Sequence, residues 1–370
     1  MRLGHFEALR PICAACLAER REQHPVVLSV VARRQDDDVL EGALQCSAPA
    51  CRREYPIVDG IPLLVPDVRA YLATQLQHLT TRDDLSDLIE GFLTEGSGPG
   101  SPLDVARTHL SSYSWDHYGE LDPDLPLDAA DAEPRPGSVV RALEAGLAVM
   151  SAASADLREG PVLDLGCAVG RASFELAQSV PALVIGADLG FHLLRIASRV
   201  LRRGSIRYPL RRGGVRYDWR EYPTPMPTAD RVDFWACDAV HLPFATGTFA
   251  AAVGLNLIDC VYSPLDLLRS LARVLRPGGT LLLGSPYDWT PAATPIEAWV
   301  GGHSPRSLGG GRSDAVLRAL LTPGAHPASV EGLELLAEQD EVPWSVRMHD
   351  RSHVVYRLHL AVARRLPASD

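Results

Sequence analysis

Residues 163–177 read LDLGCAVGRASFELA, in which Gly166 and Gly170 follow a short apolar run. Glycines let the backbone take positive φ angles and approach a ligand closely, and the helix that begins after them offers free N–H groups to a polar ligand. A dinucleotide-binding turn normally has a third glycine where this chain has Ala168, because the pyrophosphate needs the closest approach there. The stretch therefore favours a nucleotide-like ligand that has no pyrophosphate.

Three acids follow three successive predicted strands: Asp164 precedes the glycine turn, Asp188 ends ALVIGAD, and Asp238 follows VDFWAC. The carboxyl ends of parallel strands form the ligand crevice of an open sheet, and an acid after the second strand accepts hydrogen bonds from ribose hydroxyls. S-adenosylmethionine fits this set, since Asp164 would face its amino group and Asp238 its adenine amine. The alternative is a generic doubly wound fold whose acids cap helices. Further residues predicted to contact the cofactor are Gly166, Cys167, Ala168, Gly170, Leu189, Ala239 and Asn256.

Polar and aromatic residues follow the next two predicted strands. Asn256 and Asp259 belong to NLID after the fourth strand, and Tyr287 and Trp289 belong to SPYDW after the fifth. We expect them to rim the pocket at the same edge of the sheet. The first three would hydrogen-bond a planar substrate as catalytic or orienting groups, and Trp289 or Trp299 would cover its ring. The alternative is a satisfied Asn at a strand end followed by an ordinary turn.

The N-terminal segment contains two pairs of closely spaced cysteines, Cys13 with Cys16 and Cys46 with Cys51. Four thiolates on two turns suit a tetrahedral structural zinc ion. A metal would also supply folding free energy to a small segment that has little core of its own. The other three cysteines lie in apolar surroundings and are predicted to be core residues: Cys167, Cys237 and Cys260.

The elements that must position these residues divide the chain into three regions. Residues 1–68 contain short strand patterns and a VDG hairpin turn and form a small cysteine-bearing domain. Residues 69–135 combine a helical pattern at 71–93 with loops rich in Gly, Ser and Pro, and are predicted to form a helical linker or lid. Residues 136–370 alternate strands with helices, which predicts the α/β class with helices on both faces of a mostly parallel sheet.

Composition excludes several classes of protein. The net charge of −10 gives no general attraction to nucleic acid, and no stretch reaches the ~20 apolar residues of a membrane span. The start of the chain has no secretory signal and the cysteine count is odd, so we expect a cytoplasmic protein without a disulfide framework. Residues 202–223 carry seven arginines. They predict either an RNA-binding hairpin or, as we favour, a solvated hairpin.

The stretches DLGCAVGR, DLGFHLLR, DAVHLPF and RVLRPGGTLLLGSP resemble class I S-adenosylmethionine-dependent methyltransferases. This resemblance implies a Rossmann-like, mostly parallel seven-stranded sheet. Three further stretches are similar to the methyltransferase domain of ovothiol synthases, which methylates an imidazole nitrogen of a thiol-bearing histidine: NLIDCVYSP, SPYDWTPAATPIEAWVGG and AEQDEVPWSVRMHDRSHVVYRLHLAVARR. DHYGE at 116–120 resembles the same family and implies that Tyr118 and His117 close over the cofactor, with His117 a candidate substrate contact.

The resemblance implies an N-methyltransferase acting on the imidazole of a thiol- or selenol-bearing histidine, as in ovothiol-type biosynthesis. Such a ring is electron-rich and needs no strong base, so Asp259 is expected to orient the substrate. A carboxylate on the substrate would require a basic partner. The arginines of 202–223 or of WSVRMHDR are candidates for this partner.

Residues 1–68 resemble the small zinc-ribbon proteins that activate tRNA, rRNA and protein methyltransferases, although the Cys46–Cys51 spacing is longer than the usual one. A zinc ribbon fused to a class I methyltransferase also describes an rRNA or tRNA base methyltransferase, which is the competing hypothesis. The acidic balance favours a small-molecule substrate, and no membrane partner is expected. A third hypothesis is a methyltransferase-like scaffold without activity, against which the intact series of three acids argues.

Overall fold

The computed structural model describes residues 1–68, 70–71, 74, 98–124, 134–155, 157 and 160–367. Within these residues the strands are β1 (Val26–Gln35), β2 (Asp38–Cys46), β3 (Glu54–Val58), β4 (Ile61–Leu64), β5 (Val162–Leu165), β6 (Val184–Asp188), β7 (Ser205–Gly213), β8 (Arg216–Pro223), β9 (Val232–Cys237), β10 (Phe249–Leu255), β11 (Leu275–Ser285), β12 (Leu333–His349) and β13 (Ser352–Arg365). The α-helices are α1 (Leu3–Leu9), α2 (Ala14–Arg20), α3 (Pro102–Tyr118), α4 (Ser138–Ala152), α5 (Arg171–Ser179), α6 (Phe191–Arg203), α7 (Pro264–Val274) and α8 (Ser313–Leu320). Most of the helical pattern predicted at 71–93 lies outside the described residues.

Seven strands form the core of the main sheet in the order β9-β6-β5-β10-β11-β13-β12. The first five of these run parallel, and β13 lies antiparallel to both of its neighbours. The connections through helices place strands side by side in the same direction, as the alternating sequence pattern requires. The predicted α/β class with a Rossmann-like, mostly parallel seven-stranded core is confirmed.

The N-terminal strands extend this sheet beyond its β9 edge. β4 lies parallel to β9, with Leu63 paired to Ala236, and β3, β2 and β1 follow in antiparallel order. In the described parts of the chain the whole sheet therefore has eleven strands and is mixed. The cysteine-bearing segment and the core share one sheet, so no break in strand pairing marks the predicted boundary near residue 68. The division into three domains stays a prediction.

The apolar core lies on both faces of the sheet. Leu163 and Leu165 of β5 pack in the cluster that includes residues of α7 and α8, whereas Val162 packs in the cluster that includes residues of α4, α5 and α6. Successive strand residues point to opposite faces, so a strand covered on both sides is a continuous apolar run. β5 is buried along its whole length and fits this pattern apart from Asp164. None of the helices in the described ranges combines the length and apolar character needed to cross a membrane.

Candidate functional site

A cavity of about 350 Å³ opens at the carboxyl ends of β5, β6, β9 and β10. The chain order in the sheet reverses there, with β6 on one side of β5 and β10 on the other, and ligands of open α/β sheets bind at such a point. Most of the predicted cofactor residues line this cavity. They are Asp164, Gly166, Cys167, Ala168, Asp188, Leu189, Asp238, Ala239 and Asn256.

The turn after β5 has the conformation of a three-glycine turn even though its middle residue is alanine. The φ angles of Gly166, Ala168 and Gly170 are 76°, 48° and 90°. A left-handed conformation costs a residue with a Cβ about 1–2 kcal/mol. The backbone N–H of Ala168 donates to Asp188 Oδ2 at 2.9 Å, and this bond to a carboxylate offsets part of that cost. Ala168 therefore keeps the shape of the turn.

Two predicted cofactor residues, Gly170 and Tyr118, do not line the cavity. A Cβ at Gly170 would lie 2.5 Å from the ring of Phe234, so this glycine allows α5 to pack closely against β9. Tyr118 is fully buried, and its hydroxyl donates to the carbonyl of Val169 at 2.9 Å. Both residues support the turn from behind, which corrects the expectation of direct cofactor contact.

Carboxylates give the cavity a negative character. Asp188 Oδ1 accepts from the N–H of Gly190 at 2.7 Å, and Asp164 Oδ2 accepts from the hydroxyl of Ser173 at 2.6 Å. Loss of solvent raises the pKa of Asp188, and burial raises the pKa of Asp164 to about 7 although the Ser173 bond opposes it. Two carboxylates whose ionised forms are disfavoured would be stabilised by a cation between them. The cavity suits a ligand that carries an ammonium or sulfonium group.

The third acid, Asp238, follows β9, which is an outer one of the four strands that border the cavity. Asp238 Oδ1 accepts from the N–H of Val240 at 3.0 Å, and Oδ2 lies 3.1 Å from His241 Nδ1. The hydroxyl of Tyr262 donates to the same Oδ2 at 3.3 Å, and Tyr262 itself lines the cavity with 48% of its surface exposed. Tyr262 belongs to NLIDCVYSP but was not predicted as a site residue.

Asn256 presents an unsatisfied acceptor at the cavity. Its Oδ1 is buried and has no hydrogen-bond partner among the described residues, while its backbone N–H donates to the carbonyl of Gly284 at 2.7 Å. The residue has a left-handed φ of 52°, which asparagine tolerates better than most residues. A buried carbonyl oxygen without a donor costs about 1–3 kcal/mol, so a ligand N–H or O–H here would be favoured.

Helix α3 covers one side of the cavity. His117 lines it, and its Nδ1 accepts from the N–H of Arg171 at 3.3 Å, which leaves the proton of the neutral ring on Nε2. Burial and the nearby Arg171 lower the pKa of His117 to about 3, so the ring is neutral at physiological pH. Tyr113, four residues earlier, lines the same wall, with its ring centroid 6.4 Å from that of His117. Sequence reasoning missed Tyr113, although the spacing of four on a helix indicates a shared face.

Four predicted substrate residues lie outside the lining of the cavity: Asp259, Tyr287, Trp289 and Trp299. Asp259 is buried, and its Oδ2 accepts from the backbone N–H of Asp288 at 2.7 Å, which joins the turn after β10 to the loop after β11. The other three rings stack in a row with centroids 6.4 and 6.0 Å apart. They stabilise that loop and do not wall the cavity, which corrects the expectation from their positions.

The expected basic partner for a substrate carboxylate is also not at the cavity, since no arginine is among its lining residues in the described structure. Arg347 of WSVRMHDR is buried under α3, where Ser112 donates to its carbonyl at 2.7 Å. Of the three cysteines predicted to be core, Cys167 and Cys237 are buried. Cys260 is exposed at the mouth of the cavity, because the strand ends before it and the chain turns outward.

The four N-terminal cysteines meet in space. Their sulfur atoms all lie within 4.8 Å of one another, with 3.8 Å between Cys13 and Cys51 and 3.8 Å between Cys16 and Cys46. Four sulfurs at about 2.3 Å from a tetrahedral zinc ion are about 3.8 Å apart. Arg20 donates to Cys16 Sγ at 2.8 Å, as a cation beside a thiolate would. The donor set and its spacing fit zinc.

The central part of the chain is similar to known methyltransferases. Residues 163–283 match a protein family described as a methyltransferase domain. The chain is 31% identical over 122 residues to methyltransferase GfsG of Streptomyces halstedii, which covers 33% of this chain and 36% of that protein. It is 28% identical over 143 residues to the 27-O-demethylrifamycin SV methyltransferase of Amycolatopsis mediterranei (strain S699), covering 38% of this chain and 44% of that protein.

Among solved structures, a SAM-dependent methyltransferase from Methanosarcina mazei is 20% identical, with a TM-score of 0.37, and the match covers 57% of this chain and 95% of that one. The chain spans less than half the length of the two curated relatives. The family match contains Asp164, Asp188, Asp238 and Asn256. The cysteine-bearing segment and residues 284–370 lie outside it.

Proposed function

We propose that this chain, which contains a class I S-adenosylmethionine-dependent methyltransferase domain, methylates an imidazole nitrogen of a thiol- or selenol-bearing histidine. One observation carries the methyl-transfer part: three carboxylates and the unpartnered Oδ1 of Asn256 share one cavity at the switch point of the sheet. The acceptor is supported by the likeness of NLIDCVYSP and SPYDW to the ovothiol synthase domain.

The residues of the cavity fit S-adenosylmethionine, which when bound supplies an electrophilic methyl group on a sulfonium. Asp164 would bind the ammonium group, Asp188 the ribose hydroxyls and Asp238 the adenine amine. The backbone N–H groups of Ala168 and Gly190 hold the Asp188 carboxylate in place before the ligand arrives. Binding therefore requires little reorganisation of the acid.

Methyl transfer is an in-line displacement, so catalysis comes mainly from positioning and from exclusion of water. Asn256 Oδ1 would accept the N–H of the imidazole and direct the lone pair of the other nitrogen at the methyl group. Tyr113 and Trp344 would shield the ring from solvent. The neutral His117 adds no charge near the sulfonium. An electron-rich ring needs no strong base, and its proton leaves after the transfer.

The test is incubation of the purified chain with S-adenosylmethionine and thiohistidine, followed by mass spectrometry. We expect one methyl group on a ring nitrogen, and the same with selenohistidine. Thiohistidine that stays unmethylated while stripped rRNA is methylated would overturn the proposal in favour of a base methyltransferase.

Asn256→Ala should lower kcat with S-adenosylmethionine and thiohistidine about 10- to 100-fold, because a single hydrogen bond to the reacting ring is lost. The dissociation constant for S-adenosylhomocysteine should change far less. Steady-state kinetics and calorimetry measure the two effects. The control is Gln178→Ala, which removes an exposed amide on α5 that donates to Glu175, and it should keep wild-type kinetics. Equal losses in kcat and in cofactor affinity would contradict a role in orienting the acceptor.

Cofactor affinity should depend on pH through Asp164. Its pKa is raised to about 7 in the free protein, and the ligand ammonium favours the carboxylate, so the pKa falls in the complex. Affinity is then greatest above pH 7 and falls below it, by at most about tenfold per pH unit. Calorimetry with S-adenosylhomocysteine between pH 5.5 and 7.5 measures this. Asp164→Asn should bind weakly and lose most of this slope, whereas an unchanged slope in the variant would assign it to another group.

The competing RNA hypothesis has less support. In the 202–223 insertion, Arg207 lies 3.4 Å from Glu221 and Arg212 lies 2.8 Å from Asp218, so these arginines are neutralised locally.

A second small-molecule candidate is O-methylation, as the name of the 27-O-demethylrifamycin SV methyltransferase states for that relative. A hydroxyl acceptor would also bond Asn256 Oδ1. Both reactions add the same mass, so fragmentation of the product, which locates the methyl group on nitrogen or oxygen, distinguishes the two. We further propose that Cys13, Cys16, Cys46 and Cys51 bind a structural zinc ion.

A further inference from the structure

Helix α3 connects the wall of the cavity to the cofactor turn. Tyr113 and His117 project from it into the cavity, and Tyr118 at its last position donates to the carbonyl of Val169. The N–H of Arg171, at the start of α5, donates to His117. Any displacement of α3 would therefore change both the wall and the turn.

The β7–β8 hairpin holds the first half of α3. The hydroxyl of Tyr217 donates to Asp104 Oδ1 at 2.7 Å, in the first turn of the helix, and lies 2.9 Å from Thr108 Oγ1. In the middle of the helix the buried Ser111 Oγ accepts from the backbone N–H of Arg211 at 2.8 Å. These bonds lie on the helix side away from the cavity.

The hairpin holds the end of α3 as well. The buried Tyr222 donates to the carbonyl of Tyr118 at 2.9 Å, and Tyr118 donates in turn to the carbonyl of Val169 at 2.9 Å. Two successive hydrogen bonds thus join the hairpin to the cofactor turn. Past the helix end, Arg220 pairs with Asp122. The hairpin is bonded to α3 near both of its ends and at its middle.

We propose that the β7–β8 hairpin is a positioning device for the cofactor cavity and that Tyr217 and Tyr222 are its positioning residues. They fix α3 so that Tyr113 and His117 close the cavity and the turn around Val169 keeps its shape. The proposal rests on the proposed use of this cavity for S-adenosylmethionine. It gives the arginine-rich insertion a role inside the protein: Arg220 anchors the hairpin to Asp122, and Tyr217 and Tyr222 hold the helix.

The test compares Tyr217→Phe, Tyr222→Phe and the double variant with wild type. Each lost hydroxyl should weaken S-adenosylhomocysteine binding about threefold to tenfold and raise KM for the cofactor to the same extent. At saturating cofactor, the loss in kcat should be smaller than the loss in affinity, because these residues reach the acceptor ring only through Tyr113. Amide exchange should accelerate in residues 102–118 while the hairpin itself stays protected.

Arg216→Ala is the matched control, since this side chain is 77% exposed at the hairpin tip and pairs with Asp218 of the same hairpin. It should bind S-adenosylhomocysteine like wild type. If the tyrosine variants lose thermal stability but keep wild-type cofactor affinity and α3 exchange, the residues are merely structural and the proposal is overturned. Because the probe needs no methyl acceptor, wild-type protein that fails to bind it would overturn the proposed function instead.

Discussion

Replacing Asp188 by alanine should weaken cofactor binding by about 10²- to 10⁴-fold. In the proposed complex the carboxylate would accept both ribose hydroxyls, and hydrogen bonds to a charged group contribute about 1.5–3 kcal/mol each. The same substitution removes the acceptor for the N–H groups of Ala168 and Gly190. Ala168 would then keep its left-handed conformation without the bond that offsets its cost. Calorimetry with S-adenosylhomocysteine measures the loss.

Two further variants separate these contributions. Asp188→Asn keeps the size and one acceptor oxygen, so its affinity should lie between wild type and Asp188→Ala. Asp314→Asn changes an acid on α8 that pairs with Arg312 away from the cavity, and it should bind like wild type. If the affinity of Asp188→Ala for S-adenosylhomocysteine stays within about threefold of wild type, the ribose does not lie at β6 and the cofactor assignment fails.

The meeting of the three acids at one cavity was predictable because strand ends fix their positions. Asp164 lies near the end of β5, Asp188 ends β6 and Asp238 follows β9. Parallel strands bring their carboxyl ends to one edge in any doubly wound sheet. Each prediction needed only a local apolar run and the residue after it. The conformation of Ala168 was predictable for the same reason, because the glycines on either side set its place in the turn.

The acceptor half was less predictable because side-chain direction after a strand depends on distant partners. Tyr287 takes a left-handed φ of 59°, and its hydroxyl bonds Nδ1 of His359 on β13 at 2.7 Å. Asp259 turns toward the backbone of Asp288. Neither partner is visible from the local sequence. Asn256, by contrast, carried a usable signal, as it is the only asparagine in the chain and directly follows an apolar strand.

The joining of the N-terminal strands to the core was not predictable either. IPLL is buried on both sides, which indicates a central strand, but its parallel partner β9 lies far along the chain. A sequence pattern shows that a strand is buried on both faces, but it does not show which other strand pairs with it. The pairing matters for the cysteine cluster, because it fixes the cluster beside the loop that carries Asp238.

The zinc hypothesis predicts the largest effect on stability. Protein purified without chelators should contain about one zinc ion per chain by mass spectrometry of metals. Cys46→Ala should abolish zinc binding, because it removes one of the four thiolates. Structural zinc contributes on the order of 10 kcal/mol to the folding of small domains, so the stability should fall as well. We expect exposed backbone in residues 1–68 by amide exchange and a lower melting temperature. Cys260→Ser, which changes an exposed cysteine far from the cluster in sequence, should keep its zinc.

Loss of zinc should also reach the cofactor cavity. Cys13 and Cys16 fix the start of α2, and the adjacent Ile12 donates its N–H to the carbonyl of Pro243 at 2.7 Å. Pro243 follows the turn after Asp238, so a loosened cluster should weaken S-adenosylhomocysteine binding even where the core stays folded. Metal-free protein that keeps full stability and full affinity for S-adenosylhomocysteine would contradict both the stabilising role of zinc and its effect on the cavity. A sulfur separation of 3.8 Å is too long for a disulfide of about 2.05 Å, so non-reducing mass analysis should find these thiols unlinked.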